Sequence, residues 1–122
     1  MEGTKHILIV DDNAMLLRTM KHLLDEAYSV GVAVSGAQAL KAMEKKQPDL
    51  VLLDQEMPQM SGKEVFLKIK ENDAWKDIPV MFLTSATDAE TVEELMSLNP
   101  AGYIGKPPEK NRLFEAIRSV LD

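Results

Sequence analysis

Five short apolar runs constrain how this chain can fold: His6-Ile7-Leu8-Ile9-Val10, Val30 to Val34, Leu50-Val51-Leu52-Leu53, Val80-Met81-Phe82-Leu83 and Tyr103-Ile104-Gly105. Between them lie longer segments whose apolar residues recur at three- and four-residue intervals. Strand-length runs alternating with helix-period segments predict βα repeats, and so a parallel sheet with helices on both faces. The expected class is therefore α/β, and the expected extent is one domain over residues 1–122. A chain of that length buries roughly 60 to 70% of its unfolded surface without disulfides or metal staples.

The intervening segments carry helix signals of their own. Leu16, Met20, Leu23, Leu24 and Ala27 predict the inner face of a first helix, and Leu40 and Met43 that of a second. Ser35-Gly36-Ala37-Gln38 and Thr87-Asp88-Ala89-Glu90 read as capping boxes. A third helix over about Lys63 to Glu71 turns Val65, Phe66 and Ile69 inward, and Asn72 to Pro79 is a polar connector. The fourth helix offers only Val92, Leu95 and Met96 among acids, a narrow stripe that predicts loose packing. Asn99-Pro100-Ala101-Gly102 ends it. Pro107-Pro108 opens a fifth, with Leu113, Phe114, Ile117, Val120 and Leu121 on one face.

Composition narrows the function classes. With 14 Lys+Arg against 20 Asp+Glu the formal charge is -6, which argues against direct nucleic-acid binding. There is no cysteine, hence no disulfide framework and no thiolate chemistry. No stretch approaches the ~18 apolar residues of a membrane span. Met1 to Lys5 lead into a strand-like run rather than a secretory apolar region, so the expected location is cytoplasmic.

The polar residues that end the apolar runs carry the chemistry. Asp11 and Asp12 follow the first run, Asp54 the third, Thr84 the fourth and Lys106 the fifth. Open parallel α/β sheets keep their active crevice at the carboxyl ends of the strands. Taken singly, each residue has an ordinary explanation. Asp12 ahead of a helix is an N-cap, Asp54 before Met57-Pro58 and Thr84 are turn residues, and Lys106 is a solvated surface charge. Their shared position at one rim favours a site instead. If the first and third strands are neighbours, three carboxylates crowd together and need a positive counterpart. Hard oxygen ligands suit Mg²⁺, which also shares phosphate oxygens. A metal with a lysine makes an electrophilic clamp for phosphoryl transfer, and the middle carboxylate can act as nucleophile.

Other residues carry less. His6 in a strand and His22 on a helix have no ligand-spaced partners and are read as structural or solvated. Met57 and Met60, in the loop after Asp54, are the two methionines placed to shape access to the site. Trp75 reads as an anchor of its connector, and Tyr103 as a core or interface aromatic lying close to Thr84.

Together, Asp11-Asp12, Asp54-x-x-Met57-Pro58-x-x-x-Gly62, Thr84-Ser85 and Gly102-Tyr103-Ile104-x-Lys106-Pro107 resemble the receiver domain of bacterial two-component response regulators (CheY-like). The resemblance spans essentially the whole chain in order and spacing. It implies a flavodoxin-like (βα)5 three-layer sandwich whose five parallel strands lie in the order 2-1-3-4-5. It implies Asp54 as the phosphoacceptor, forming an aspartyl phosphate. Mg²⁺ would be held by Asp11 or Asp12 with Asp54 and the backbone carbonyl of Glu56, and Lys106 would pair with the phosphoryl group. Thr84 and Tyr103 would be a switch pair, and Lys106-Pro107 a cis peptide. The implied partners are a sensor histidine kinase or a histidine phosphotransfer protein. The face of the fourth helix, fifth strand and fifth helix would change shape and offer a homodimer surface.

Departures from the pattern set further expectations. Gln55 is polar and Glu56 acidic beside the phosphoryl path, so these two bear on how long a phosphoryl group survives. Asn99-Pro100 and Pro108 alter the output face. Three rival readings follow from the same residues. An aspartate-nucleophile phosphatase would need its acid pair after the nucleophile, whereas Asp11-Asp12 come first. A nucleotide-binding module would need a glycine-rich turn after the first strand. A phosphorylation-independent, receiver-like adaptor would not need the full site.

Overall fold

In the computed structural model, which describes residues 4–85, 89–106 and 108–121, the chain alternates strand and helix. The elements are β1 (His6–Val10), α1 (Ala14–Leu24), β2 (Ser29–Ala33), α2 (Gly36–Lys45) and β3 (Leu50–Asp54). They continue as α3 (Gly62–Glu71), β4 (Val80–Thr84), α4 (Ala89–Met96), β5 (Gly102–Gly105) and α5 (Lys110–Leu121). All strand pairs are parallel, in the order β2-β1-β3-β4-β5, which is the flavodoxin-like arrangement. Thr87 and Asp88, the start of one expected capping box, and the Lys106–Pro107 peptide lie outside the described residues.

Side-chain alternation along each strand sorts the core into two layers. Ile7, Ile9, Leu50, Leu52, Met81, Leu83 and Ile104 face α1 and α5, where Leu17, Met20, Leu24, Leu113 and Ile117 meet them. Leu8, Val10, Val51, Leu53, Val80 and Phe82 face the other helices, against Ala39, Met43, Val65, Phe66, Ile69 and Leu95. Central strands buried on both faces must be apolar at every position, which is why β3 and β4 read as unbroken runs.

Several local expectations shift. Ala27 is exposed beyond the end of α1, and Leu17 takes the inner place assigned to it. Ser35 does cap α2, accepting from the Gln38 amide at 3.1 Å, but Gln38 Oε1 accepts from the amide of Val34 rather than that of Ser35. The reciprocal half of that box is thus displaced by one residue. A complete capping box opens α3, between Ser61 and Glu64. Trp75 and Ile78 are buried, so the connector after α3 is anchored as expected. Within α4 the one buried residue is Leu95, while Met96 is exposed.

Candidate functional site

The carboxyl ends of β1, β3, β4 and β5 form one rim. Asp54 is the last residue of β3, paired in register with Leu83, and Thr84, the last of β4, pairs with Gly105. Asp11 continues β1 by one step, its amide donating to Ala33 O at 3.1 Å, and Lys106 continues β5, its amide donating to Thr84 O at 2.9 Å. The positions of Asp11, Asp54 and Lys106 fall on the same strand phase, following Ile9, Leu52 and Ile104. That shared phase brings them together on one side of the rim.

Asp11 and Asp54 are buried, at 0% and 1% exposure, and Lys106 joins them. Its Nζ donates to Asp11 Oδ2 at 3.1 Å and to Asp54 Oδ1 at 3.0 Å. The other Asp11 oxygen accepts the Asn13 amide at 2.9 Å, and Asp54 Oδ1 also accepts the Glu56 amide at 3.3 Å. Asp54 Oδ2 is buried with no hydrogen-bond partner among the described residues. Asp12 is exposed, and Asp11, Asp12 and Asp54 each offer an oxygen, all within 4.8 Å of one another.

These groups perturb one another. Burial pushes the Asp54 carboxyl up to about 6, and the Asp11 charge adds to that, against the opposing hydrogen bond and charge of Lys106. Burial alone would favour a neutral Lys106. Its hydrogen bonds to Asp54 and Asp11, with their charges, outweigh that and raise its pKa. Two buried carboxylates therefore share one ammonium, with a third carboxylate alongside. A buried carboxylate oxygen without a donor, among three carboxylates, is a donor set that fits a hard divalent cation.

The remaining candidates are placed as follows. Thr84 is buried at the end of β4, on the opposite strand phase from Asp54's neighbours Leu50 and Leu52 and in phase with Phe82. Tyr103 pairs with Phe82 and is 46% exposed, so it stands outside the acidic cluster on the same face as Thr84. Between them on β5 sits Gly105, where an added Cβ would meet nothing within 4 Å among the described residues. The Glu56 side chain is exposed. Met57 and Met60 are partly buried and pack onto the core layer shared with α2 and α3, which braces the loop after Asp54.

One residue escaped the sequence reading, and another was quoted there without a structural role. The N-cap of α1 is Asn13, whose Oδ1 accepts from the amides of Met15 and Leu16 at 3.1 Å each, and not Asp12. That leaves the Asp12 carboxylate out of the cap. An asparagine is as good an N-cap as an aspartate, so the signal was present one residue further on. Gly62 is the other: a Cβ there would lie 2.2 Å from the Asp54 carbonyl oxygen. Residues 7–118 match the family model described as the response regulator receiver domain.

This chain belongs to the response regulator receiver family. Such receivers are the acceptor modules of two-component signal transduction, and they interact with histidine kinases or phosphotransfer proteins. Among relatives, the polar-differentiation response regulator DivK of Brucella ovis is 31% identical over 119 residues, 97% of each chain. The chemotaxis protein CheY4 of Vibrio cholerae superposes with a TM-score of 0.90 at 28% identity, covering 98% of this chain and all (100%) of that one. The N-terminal domain of a response regulator receiver protein from Methanoculleus marisnigri gives 0.78 at 37% identity, with 98% of each chain covered.

Proposed function

We propose that Asp54 accepts a phosphoryl group from a phosphohistidine on a sensor histidine kinase or histidine phosphotransfer protein, and that the resulting acyl phosphate is later hydrolysed. The observation that carries this reading is the Asp54 side chain itself. One oxygen is held by Lys106 and the Glu56 amide, while the other is buried without a donor. A nucleophile needs such an uncommitted oxygen held in place by its neighbour.

In transfer, a bond forms between an Asp54 oxygen and phosphorus, and the phosphorus–nitrogen bond breaks with its electron pair staying on the donor imidazole. Asp11, Asp12 and Asp54, with the Glu56 backbone carbonyl, would hold Mg²⁺. When bound, that ion supplies positive charge for the phosphoryl oxygens. Lys106 moves from bridging two carboxylates to pairing a phosphoryl oxygen, as a flexible point charge can. Attack of water on phosphorus later releases inorganic phosphate and regenerates the carboxylate. The chain thus catalyses only its own phosphorylation and dephosphorylation.

Thr84 and Tyr103 form the switch pair in this reading. They share one sheet face, and among the described residues nothing within 4 Å fills the space over Gly105 that the half-exposed Tyr103 ring would cross toward Thr84. The face of α4, β5 and α5, on whose strand Tyr103 is exposed, transmits the change and is the surface for a homodimer. No helix among the described residues is long and apolar enough to cross a membrane, which is compatible with the cytoplasmic setting of this proposal.

The test is incubation with Mg²⁺ and a small phosphoryl donor, followed by intact mass. The expected result is one base-labile phosphoryl adduct, absent in Asp54→Asn. No adduct, or an adduct that persists in Asp54→Asn, would overturn the assignment.

A further inference from the structure

The end of the sheet away from the acidic rim holds a second polar cluster, and the function above does not use it. His6 opens β1 and pairs in register with Ser29, which opens the edge strand β2. Its Nδ1 lies 2.9 Å from Ser29 Oγ, and Lys46, just past the end of α2, places Nζ 3.4 Å from the same oxygen. Asp49, ahead of β3, accepts the His6 amide on Oδ2 at 2.7 Å and donates its own amide to His6 O at 2.7 Å. The far edge of the ring is laid against β2 at Gly31, where a Cβ would come within 3.3 Å of Cε1 and 3.4 Å of Nε2.

The charge on the ring decides the direction of this cluster. An ammonium only donates, whereas a serine hydroxyl has one proton to give and two lone pairs to accept with. With the ring neutral and its proton on Nε2, a chain runs from Lys46 to Ser29 to His6, Nδ1 accepting. Protonating Nδ1 reverses the last link and sets a second positive charge on the far side of the hydroxyl that Lys46 already occupies. Among the described residues the charged groups acting on the ring are Lys46, from the end of α2, and Asp49, from the approach to β3. Strand β2 presents only the neutral Ser29 and Gly31.

We propose that His6, Ser29 and Lys46 form a proton-sensitive latch that holds the end of α2 and the start of β2 to β1 while His6 is neutral and loosens them when it is charged. Burial of the ring and the Lys46 charge lower the His6 pKa. They outweigh the Ser29 backbone and the Asp49 carboxylate, which favour the charged form. The unfolded chain takes up its proton at the ordinary value of 6.5, ahead of the folded one. Stability from this corner is therefore complete above about pH 6.5 and is lost as the pH falls below it. The edge strand is where the loss would be felt, since Ala33 alone is buried among its five residues.

The test is NMR on the full chain without added metal, following the His6 ring resonances with pH together with amide exchange at Ser29 and Asp49. Those two amides donate to Lys5 O and His6 O, so they report opening of this corner. The His6 midpoint should lie below the ordinary histidine value. Lys46→Gln, which keeps a donor and removes the charge, should raise it, and Lys46→Arg should leave it in place. Exchange at Ser29 and Asp49, corrected for its intrinsic pH dependence, should quicken severalfold as His6 charges, and should lose that step in His6→Gln. A midpoint at or above the ordinary value, or one that Lys46→Gln does not move, overturns the latch. So does an exchange step that survives in His6→Gln. Should His6→Gln fail to fold, the exposed Lys46 variants still decide.

Discussion

Two buried carboxylates served by one ammonium leave Asp54 ionised at some cost near neutral pH. Its carboxyl titrates near 3.8 when unfolded and is pushed up to about 6 in the fold. The folded state thus holds that proton more tightly, so this contribution to stability is full below about pH 4 and is lost as the pH rises to about 6. Asp54→Asn removes the cost. In chelator at about pH 7.5 the variant should be more stable than the parent by roughly 1 to 3 kcal/mol, and the gap should close toward pH 4. Urea unfolding of both proteins across that range measures it. His6 slopes the other way but is present in both proteins, so it cancels in the difference. Glu56 is the neighbour with most leverage on the later step, because its amide fixes Asp54 Oδ1 while its exposed carboxylate faces solvent beside the rim. Glu56→Asn should change the rate of phosphoryl loss, by repulsion or orientation of the attacking water. Decay of the adduct followed by mass checks this, and an unchanged rate would remove the idea.

At the scale of elements, two glycines set how closely the loop after β3 can approach its neighbours, and they differ in kind. At Gly62, the first residue of α3, a Cβ would meet backbone: Asp54 O at 2.2 Å and Gln55 Cα at 2.9 Å. At Gly36, the first residue of α2, it would meet side chains, Met60 Sδ and Val65 Cγ2 at 2.8 Å each. Backbone cannot step aside, whereas methionine has three rotatable bonds. Gly62→Ala should therefore cost about 3 kcal/mol or more and weaken phosphorylation with it, because the clash falls on the Asp54 peptide. Gly36→Ala should cost clearly less, part of it offset by better helix propensity. Thermal unfolding of the two variants makes the comparison. This is also where the sequence was hardest to read. Strand ends were legible to within a residue, because buried parallel strands announce themselves as unbroken apolar runs. Caps were not, since a residue such as Gln38 can reach the amide of Val34 as well as that of Ser35, and Asn13 can replace Asp12. Hydrogen-bond geometry, rather than residue type, decides those cases.

For the molecule as a whole, periodicity alone does not order the strands; that came with the family resemblance, and the placement of helices then follows. Right-handed crossovers carry the chain from β1 outward to β2, then back past β1 to β3, β4 and β5. Reversing direction puts α1 and α5 on one face and α2, α3 and α4 on the other, as the two core layers show. The reversal opens a crevice between β1 and β3, which is where Asp11 and Asp54 meet. Lys106 reaches them from β5 across the intervening β4, a span legible only once the order is known. The result concentrates three carboxylates at one point on a chain of net charge -6. A divalent cation held there should stabilise the fold by mass action, whereas general screening should act on the whole surface alike. Millimolar Mg²⁺ should therefore raise the melting temperature beyond NaCl at matched ionic strength, by an increment worth about 1 kcal/mol or more. Asp12→Asn is the discriminating variant. Asp12 is exposed, and the cap of α1 is made by Asn13, so its loss removes a ligand without disturbing the helix or Lys106. Most of the Mg²⁺-specific increment should disappear in that variant while the NaCl response stays. An increment that Asp12→Asn leaves intact would mean that the ion acts as diffuse counter-charge, with no seat at the rim.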